Sequence, residues 1–410
     1  MIELQDAIKI NNSLPLPSLK TLQKDLFEAQ GYILAQDYFI TRPLPLFDNS
    51  AMDGYAISSK QQGEILHCTR SIFAGEDATK ITLKENEAIK IMTGAMIPQN
   101  ADIVVPFELA NLENGVLNIH KKFQPYDNIR KQGEEKKIGD LIAKKGSKLD
   151  FTIIGLLASQ GIAQVQVFEK LKIGVFSTGD EIIDPKETAL PHQIYNINAP
   201  SILAILQKYQ FDCSYLGILK DNEGLEEALL QATAKYSLLI TSGGASVGEK
   251  DLLEKILLKH HATIFYHKIN LKPGKPLMIA QINGCYLFCL PGNPLSGILN
   301  LLALLIPTIL RLGLSNAYTP IAQYGILKTP LCLKGNRAQI LLGTLQDGYF
   351  IPYLKHSPNA ISTFYHCTHF AIFDSKATMF DAGSKVMIFP YFGEFDQKNY
   401  DFINYAKQQS

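Results

Sequence analysis

Four segments of the chain combine glycine, hydroxyl, amide and carboxylate residues directly after short apolar runs. They are Ser177-Thr178-Gly179-Asp180-Glu181, Lys220-Asp221, Thr241-Ser242-Gly243-Gly244-Ala245-Ser246-Val247-Gly248 and Pro291-Gly292-Asn293-Pro294. A short apolar run bounded by turn residues is typical of a buried strand. Ligands of open α/β sheets bind in the crevice beyond the carboxyl ends of the strands, so these segments predict one binding crevice.

The segment 242–248 carries three glycines and two hydroxyls between a predicted strand and a predicted helix. Such a loop lets backbone N–H groups approach an oxyanion, and the following helix adds its positive end. A tight turn that needs glycine only for a positive φ explains the same residues equally well. The segment is neither a Walker A sequence nor a GxGxxG fingerprint, so it favours a phosphate-bearing ligand held in another geometry.

Two lysines, Lys272 and Lys275, lie in a turn that also contains Pro273 and Pro276. Proline restricts the backbone, so the two ammonium groups would be held in place at little ordering cost. Two fixed cations three residues apart suit an oxyanion, although a solvated turn is the simpler interpretation. Lys268 either joins this set or flanks the preceding strand.

Four carboxylates, Asp180, Glu181, Asp221 and Asp251, fall at predicted strand or helix ends on one face. Together with bound phosphate they could hold Mg²⁺, which prefers one or two carboxylates plus phosphate oxygens. Each carboxylate alone is more simply a turn or capping residue, Asp251 especially. The sequence shows no catalytic triad and no HExxH motif, which disfavours a serine hydrolase or a zinc hydrolase.

The composition bounds the class of protein. Hydrophobic residues make up 46% of the 410 residues and charged residues 19%, which excludes a disordered chain. The 39 basic and 39 acidic residues cancel, and this balance disfavours general nucleic-acid binding. The N-terminus does not read as a signal peptide, and the apolar stretch 297–310 is broken by Asn300 and Pro307. We therefore expect a buried helix there rather than a membrane span, and a soluble, cytoplasmic protein.

The order of predicted helices and strands differs between parts of the chain. Residues 1–40 predict two helices, the second at 18–36, and residues 56–125 predict a small β-domain. From residue 171, strands at 172–176, 215–219, 238–241 and 286–290 alternate with helices at 199–209, 223–235 and 251–260. This alternation predicts a parallel sheet covered on both faces, with Asn198 as a helix N-cap. After residue 320 short β-segments return, at 338–345, 371–373 and 385–390. Cys285 and Cys289 are expected to be reduced core residues.

Six segments carry a family resemblance: residues 47–56, 91–95, 176–181, 242–251, 271–276 and 290–294. Among them are Phe-Asp-Asn-Ser-Ala-Met-Asp-Gly-Tyr-Ala, Ser-Gly-Gly-Ala-Ser-Val-Gly and Leu-Lys-Pro-Gly-Lys-Pro. In this order and spacing they resemble the molybdopterin molybdenumtransferase family, which includes MoeA and the gephyrin E-domain. The resemblance extends over essentially the full chain.

The resemblance implies a multidomain α/β plus β fold with a central doubly wound α/β domain. An N-terminal segment, 1–15, would pack on the α/β domain at 171–318. A helical and extended linker domain would comprise 16–40 and 140–170, an inserted β-domain 41–139, and a C-terminal β-domain 319–410. An elongated homodimer would form the site between the α/β domain of one protomer and the inserted β-domain of the other.

The resemblance also implies an activity in molybdenum cofactor biosynthesis: insertion of molybdate into adenylylated molybdopterin, assisted by Mg²⁺, with release of AMP. The positions that would take part in catalysis are Asp53, Thr93, Arg130, Glu135, Glu181, Asp221, Asp251, Lys268, Lys272 and Lys275. Substrate would be bound by Ser177, Thr178, Gly179, Asp180, Ser242, Gly243, Gly244, Ser246, Gly248, Pro276, Pro291, Gly292, Asn293 and Pro294. Mg²⁺ would be held by Asp180, Glu181, Asp221 and Asp251. Further partners would be the adenylyltransferase and the enzymes that accept the cofactor; no nucleic acid or membrane is implied.

Several positions depart from the family pattern. Glu135 stands where an aspartate is common, and Tyr195-Asn-Ile-Asn198 replaces Tyr-Asp-Ser/Thr-Asn. Two alternative functions therefore stay open at this point. One is a molybdopterin adenylyltransferase, against which the extra β-domains argue. The other is a non-catalytic dimeric scaffold that binds partner peptides, as gephyrin-type E-domains do.

Overall fold

The computed structural model describes residues 1–220, 224–244, 252–333, 335–354, 360–376, 378–398 and 400–406. The chain divides into two compact units. The first comprises residues 1–36, 145–150 and 164–410, and the second comprises 37–144 and 151–163. The domain boundaries expected from the resemblance are finer than this division and stay a prediction.

The N-terminal part of the first unit confirms one predicted helix and corrects the other. Helix α1, Leu4–Ser13, forms as expected. The helix expected over 18–36 is wrong: Thr21–Asp25 is a strand, β1, paired antiparallel with β2, Gln164–Phe168. A short 3-10 turn, Leu26–Glu28, follows. The pairing with a segment about 140 residues away overrides the local apolar spacing, since long-range pairing often outweighs intrinsic propensity.

A six-stranded mixed sheet forms the centre of the first unit. Its strands are β3 (Lys172–Thr178), β4 (Asp212–Leu219), β5 (Leu238–Ser242), β6 (Thr263–His267), β8 (Met278–Ile282) and β9 (Cys285–Leu290). The order is β4-β3-β5-β9-β8-β6, and the first four strands are parallel, as predicted. Strand β8 runs antiparallel to both neighbours. Its pairing with β9 follows from the two-residue turn Asn283-Gly284, whose positive φ values are those of a tight hairpin.

Four helices pack on this sheet: α2 (Asn198–Lys208), α3 (Gly224–Thr233), α4 (Leu252–Lys259) and α5 (Pro294–Leu312). Helix α5 has 19 residues and a mean hydropathy of 1.9, long and apolar enough to cross a membrane, yet it is 94% buried inside the protein. It is therefore the core helix that the sequence predicted. Cys285 and Cys289 are buried and are not joined in a disulfide, as expected of reduced core residues.

The C-terminal part of the first unit is a closed β-barrel. Its strands are β10 (Gln323–Leu327), β11 (Ala338–Gln346), β12 (Tyr349–Pro352), β13 (His369–Phe373) and β14 (Lys385–Pro390). The ring closes because β11 pairs with both β12 and β13. A short strand from the α/β layer, β7 (Leu271–Lys272), adds to β11 in parallel. Phe350, Phe373 and Ile388 belong to one buried cluster of the barrel.

The second unit contains another six-stranded sheet, which confirms the β-structure predicted between residues 56 and 125. Its strands, in spatial order, are Ile103–Pro106, Gly54–Ile57, Glu87–Ile91, Leu66–Ile72, Val116–Ile119 and Ala110–Glu113. Helix Phe151–Ser159 belongs to the same unit and lies against the strand Leu141–Ala143.

Candidate functional site

A cavity of about 650 Å³ opens where the parallel strands β3, β5 and β9 end. Nine residues predicted from the sequence line it: Ser177, Thr178, Glu181, Ser242, Pro276, Pro291, Gly292, Asn293 and Pro294. The crevice expected beyond the carboxyl ends of the strands is therefore present. A larger cavity, about 1180 Å³, lies between α1 and the barrel, and none of its described lining residues is a predicted site residue.

The floor of the cavity is a chain of buried hydrogen bonds. Ser242 Oγ lies 3.2 Å from Ser177 Oγ, and Ser177 Oγ donates to Asn196 Oδ1 at 2.8 Å. Asn196 Nδ2 donates in turn to the Tyr215 hydroxyl at 3.0 Å. Ser177, Asn196 and Ser242 are each at least 95% buried, so each polar group needs these partners.

Two glycines of the loop after β5 have conformational reasons to be glycine. Gly243 has a φ of +118°, and a Cβ there would lie 2.2 Å from Thr178 Oγ1. Gly244 has a φ of +75°, and a Cβ would lie 2.9 Å from Leu253. Both glycines meet the requirement of a tight turn, since a side chain would fit neither the backbone nor the space, and the phosphate-binding role of the loop stays a prediction. The other predicted residues of this loop, Ser246 and Gly248, lie outside the described residues.

Lys220 holds the loop after β3. Its Nζ donates to the carbonyls of Gly179 at 3.3 Å, Asp180 at 3.0 Å and Ile182 at 2.6 Å. The Glu181 carboxylate folds over Gly179, where a Cβ would lie 2.6 Å from Glu181 Oε2. A cation that binds three carbonyls fixes the loop, in which the side chains of Asp180 and Glu181 are exposed.

The magnesium site stays a prediction. Asp180 and Glu181 are exposed beside the cavity, whereas Asp221 and Asp251 lie outside the described residues. Within the described part of the chain, no group of three His, Cys, Asp or Glu side chains is arranged to hold a metal ion.

The predicted lysine turn reaches the rim of the cavity through Pro276, which lines it. Lys272 and Lys275 are exposed, whereas Lys268 is half-buried with a φ of +68°. Gly274, between the two exposed lysines, is buried against helix α5, where Asn300 Nδ2 donates to its carbonyl at 3.0 Å. The turn is thus anchored by its backbone while both ammonium groups face solvent.

The remaining predicted residues form a separate group in the second unit. Asp53 Oδ1 accepts hydrogen bonds from Thr93 N and Thr93 Oγ1, both at 2.7 Å. These bonds hold the pKa of the Asp53 carboxyl below its ordinary value. Arg130 and Glu135 are exposed, and Arg130 pairs with Asn49 in a short antiparallel ribbon.

Sequence reasoning missed six residues that line the cavity: Ile182, Ile194, Tyr195, Asn196, Ile197 and Asn198. The prediction that Asn198 is the N-cap of α2 is wrong. The helix begins at Asn198, and Asn196 Oδ1 accepts from the Ala199 N–H at 3.2 Å. An asparagine shortly before a predicted helix was the signal available.

Comparison with known proteins matches two parts of the chain to described families. Residues 2–161 match the family described as MoeA N-terminal region (domain I and II), and residues 174–311 match the one described as probable molybdopterin binding domain. A molybdopterin molybdenumtransferase from Haemophilus influenzae is 38% identical over 308 residues, which cover 74% of this chain and 76% of that protein. The chain belongs to the molybdopterin molybdenumtransferase family.

Two further relatives support the assignment. A molybdopterin molybdenumtransferase from Staphylococcus epidermidis is 36% identical over 67% of this chain and 68% of that protein. The crystal structure of a molybdopterin biosynthesis MoeA protein from Pyrococcus horikoshii superimposes with a TM-score of 0.77 at 30% identity. It covers 96% of this chain and 100% of the other, so the MoeA likeness includes the C-terminal barrel.

Proposed function

We propose that this molybdopterin molybdenumtransferase family member inserts molybdate into adenylylated molybdopterin and releases AMP. The observation that carries the proposal is the cavity at the ends of β3, β5 and β9, lined by nine residues of the family's segments. It combines a neutral hydrogen-bonded floor, apolar walls and the Glu181 carboxylate, and the lysine turn reaches it through Pro276.

The beginnings of two helices support phosphate binding in this cavity. Asn198 is the first residue of α2, Pro294 is the first of α5, and both line the cavity. Asn198 Nδ2 donates to the Gly292 carbonyl at 2.7 Å, which ties the two helix starts together. Unpaired backbone N–H groups and the helix dipole favour an anion at such a position.

The lysine turn supports a place for molybdate at the rim. Lys272 and Lys275 are exposed beside Pro276 and form no ion pair with the described residues, so their charges are available to attract a dianion. Charge stabilisation and positioning of two bound anions would supply most of the catalysis. Mg²⁺ held by Asp180 and Glu181 would neutralise phosphate oxygens, which is the chemistry that such an ion supplies.

Molybdate-dependent release of AMP tests the proposal. Purified protein with adenylylated molybdopterin should release AMP only when molybdate is added, and the product should activate a molybdenum-free acceptor enzyme. A Lys272→Ala/Lys275→Ala variant should lose at least about 100-fold in turnover, since each removed cation is expected to cost about tenfold or more. The matched control Lys235→Ala/Lys255→Ala removes two exposed lysines elsewhere in the same unit. Equal turnover in the two double variants would defeat the proposal.

We also propose a homodimer in which the Asp53 group of one protomer completes the crevice of the other. An apolar surface of the second unit supports association. Phe39 and Leu141 are paired across two strands with 47% and 37% of their surfaces exposed, and Phe151 is 81% exposed. Exposed apolar side chains in one region commonly mark a contact between proteins. Phe151→Glu should shift the chain to monomer in sedimentation, whereas Phe73→Glu, at another exposed phenylalanine of the same unit, should not.

Complementation between inactive variants tests the shared site. Asp53→Ala and Lys272→Ala/Lys275→Ala should each be inactive alone. After unfolding and refolding as a 1:1 mixture, half of the dimers carry one intact site, so about a quarter of the normal activity should return. A mixture that stays inactive while forming dimers would place all of these residues in one protomer's site.

The cellular setting follows from the same proposal. The substrate is an adenylylated pterin, so an adenylyltransferase must supply it, and the product must pass to enzymes that use the cofactor. We propose these two classes of protein as transient partners, and the cytoplasm as the location.

A further inference from the structure

The hydroxyl groups at the cavity floor have a definite hydrogen-bond direction, which can be worked out from the backbone. Asn196 Oδ1 accepts from the Ala199 N–H at 3.2 Å, and a backbone N–H can only donate. This contact fixes which atom of the amide is the oxygen. Ser177 Oγ, 2.8 Å from the same oxygen, must therefore be the donor of that bond.

The direction then passes to the next hydroxyl. Ser177 has one hydroxyl proton, which it gives to Asn196, so toward Ser242 it can only accept. Ser242 Oγ lies 3.2 Å away and must donate to Ser177. The Ser242 hydroxyl therefore has no proton left for a ligand, and only its lone pairs are available to the cavity that it lines.

The neighbouring threonines also donate their hydroxyl protons within the protein. Thr178 Oγ1 donates to the Ser242 carbonyl at 3.4 Å, and Thr241 Oγ1 donates to the Gly243 carbonyl at 2.9 Å. Asn198 adds an acceptor: its Nδ2 donates one proton to the Gly292 carbonyl, which identifies the other terminal atom as the oxygen, and this buried Oδ1 has no partner among the described residues. The hydroxyl groups of Ser177, Thr178 and Ser242 have therefore committed their protons, and Ser242 Oγ and Asn198 Oδ1 offer lone pairs to the cavity.

We propose that Ser242 and Asn198 receive N–H groups at the edge of a heteroaromatic ring of the substrate, and that the phosphates lie elsewhere. The inference rests on the proposed function and deepens it. A phosphate oxygen placed on Ser242 would meet lone pairs only, which leaves both groups unpaired. Ile182, Ile194 and Ile197 supply apolar walls against which a planar ring can lie. The phosphates are left to the start of α5 and the lysine turn.

Binding of separate fragments of the substrate tests this assignment. The probes are 6-hydroxymethylpterin, AMP and inorganic pyrophosphate, titrated calorimetrically into the full-length protein without molybdate. Ser242→Ala should weaken the pterin or AMP by about 2- to 10-fold, the effect of one neutral hydrogen bond, and should leave pyrophosphate unchanged. Loss with the pterin alone assigns the ring to pterin, and loss with AMP alone assigns it to adenine. Ser13→Ala, which removes an exposed hydroxyl at the end of α1, is the control.

The opposite pattern would overturn the inference. Weaker pyrophosphate binding with unchanged pterin and AMP binding would put a phosphate on Ser242, and a selective loss of Mg²⁺ binding would give its lone pairs to a metal. If Ser242→Ala fails to fold, Ser242→Cys keeps the size and offers only a weak acceptor, so the same selective loss is expected. These measurements involve no turnover, so their failure is distinguishable from a failure of molybdate-dependent AMP release.

Discussion

Replacing Gly274 by alanine should loosen the lysine turn by an amount that the structure allows us to estimate. Gly274 has a φ of +109°, and a Cβ there would lie 2.6 Å from both terminal atoms of the Asn300 amide. Asn300 is fully buried in α5 and donates to the Gly274 carbonyl at 3.0 Å. The new methyl group must therefore displace this amide or move the turn.

Two costs add in this variant. A non-glycine residue at positive φ costs about 1–2 kcal/mol. Leaving the buried Asn300 donor without its acceptor costs about 1–3 kcal/mol more. Gly284→Ala is the matched control, because Gly284 has a φ of +80° but no atom within 4 Å of a new Cβ. The difference between the two variants should therefore be about 1–3 kcal/mol, the packing and hydrogen-bond part alone.

Native-state hydrogen exchange measures this difference locally, which matters because a chain of two units need not unfold in one step. The Ile269 and Leu277 amides both donate to the Lys275 carbonyl at 3.0 Å and report opening of the turn. Their opening free energy should fall in Gly274→Ala and stay nearly constant in Gly284→Ala. Adding Asn300→Ala to Gly274→Ala should recover part of the loss by removing the clash. Equal exchange in the two glycine variants, or no coupling to Asn300, would refute the reasoning.

Two further predictions concern the loops around the site. Lys220→Met removes the donor to three carbonyls of the loop after β3. The KM for adenylylated molybdopterin should therefore rise about tenfold, with little change in melting temperature. An unchanged KM would contradict the role of Lys220 in holding the loop. Thr93→Val removes one of the two donors to Asp53, so the pKa of that carboxyl should rise toward its ordinary value in an NMR titration. Because the native pKa is lowered, the contribution of Asp53 to stability is present at neutral pH and is lost as pH falls through that pKa. The control is Asp77, whose pKa is lowered by Thr79 in the same way and should be the same in this variant. An unchanged pKa of Asp53 would show that the hydrogen bond from the Thr93 backbone alone sets it.

The alternation of apolar runs with helical patterns was sufficient to predict the α/β sheet and the position of its crevice. Local signals carried these predictions, because buried parallel strands are continuous apolar runs and their ends are marked by glycine and polar residues. The antiparallel strand β8 was missed although Asn283-Gly284 is a strong hairpin signal. The helix expected over 18–36 failed for a different reason, because its pairing partner, Gln164–Phe168, is remote in sequence.

The residue types of the site were predictable from the sequence, whereas the hydrogen bonds between its segments were not. Ser177 and Ser242 were recognised from their positions at strand ends, but their shared dependence on Asn196 needs the spatial arrangement of three segments. A sequence gives no direction to a hydroxyl group, so the polarity of the floor could not be anticipated. Lys220 was noted only as part of the segment Lys220-Asp221. Its hydrogen bonds to three carbonyls could not be anticipated, since a lysine after a strand is usually a solvated residue.

The short strand Leu271–Lys272 belongs by chain order to the α/β layer and by hydrogen bonding to the barrel, since it pairs with Ala338 and Gln339. Lys272 is therefore held at a seam between two parts of the first unit, with Lys275 only three residues further on. A force or a bound protein that displaces the barrel by a fraction of a strand spacing would carry the Lys272 backbone with it. Because coupling between two sites is reciprocal, an anion bound by the lysines would in turn shift the equilibrium position of the barrel. A chain truncated after α5 would lack strand β11, with which Leu271–Lys272 pairs. The α/β layer alone would therefore not hold the lysine turn in the same position.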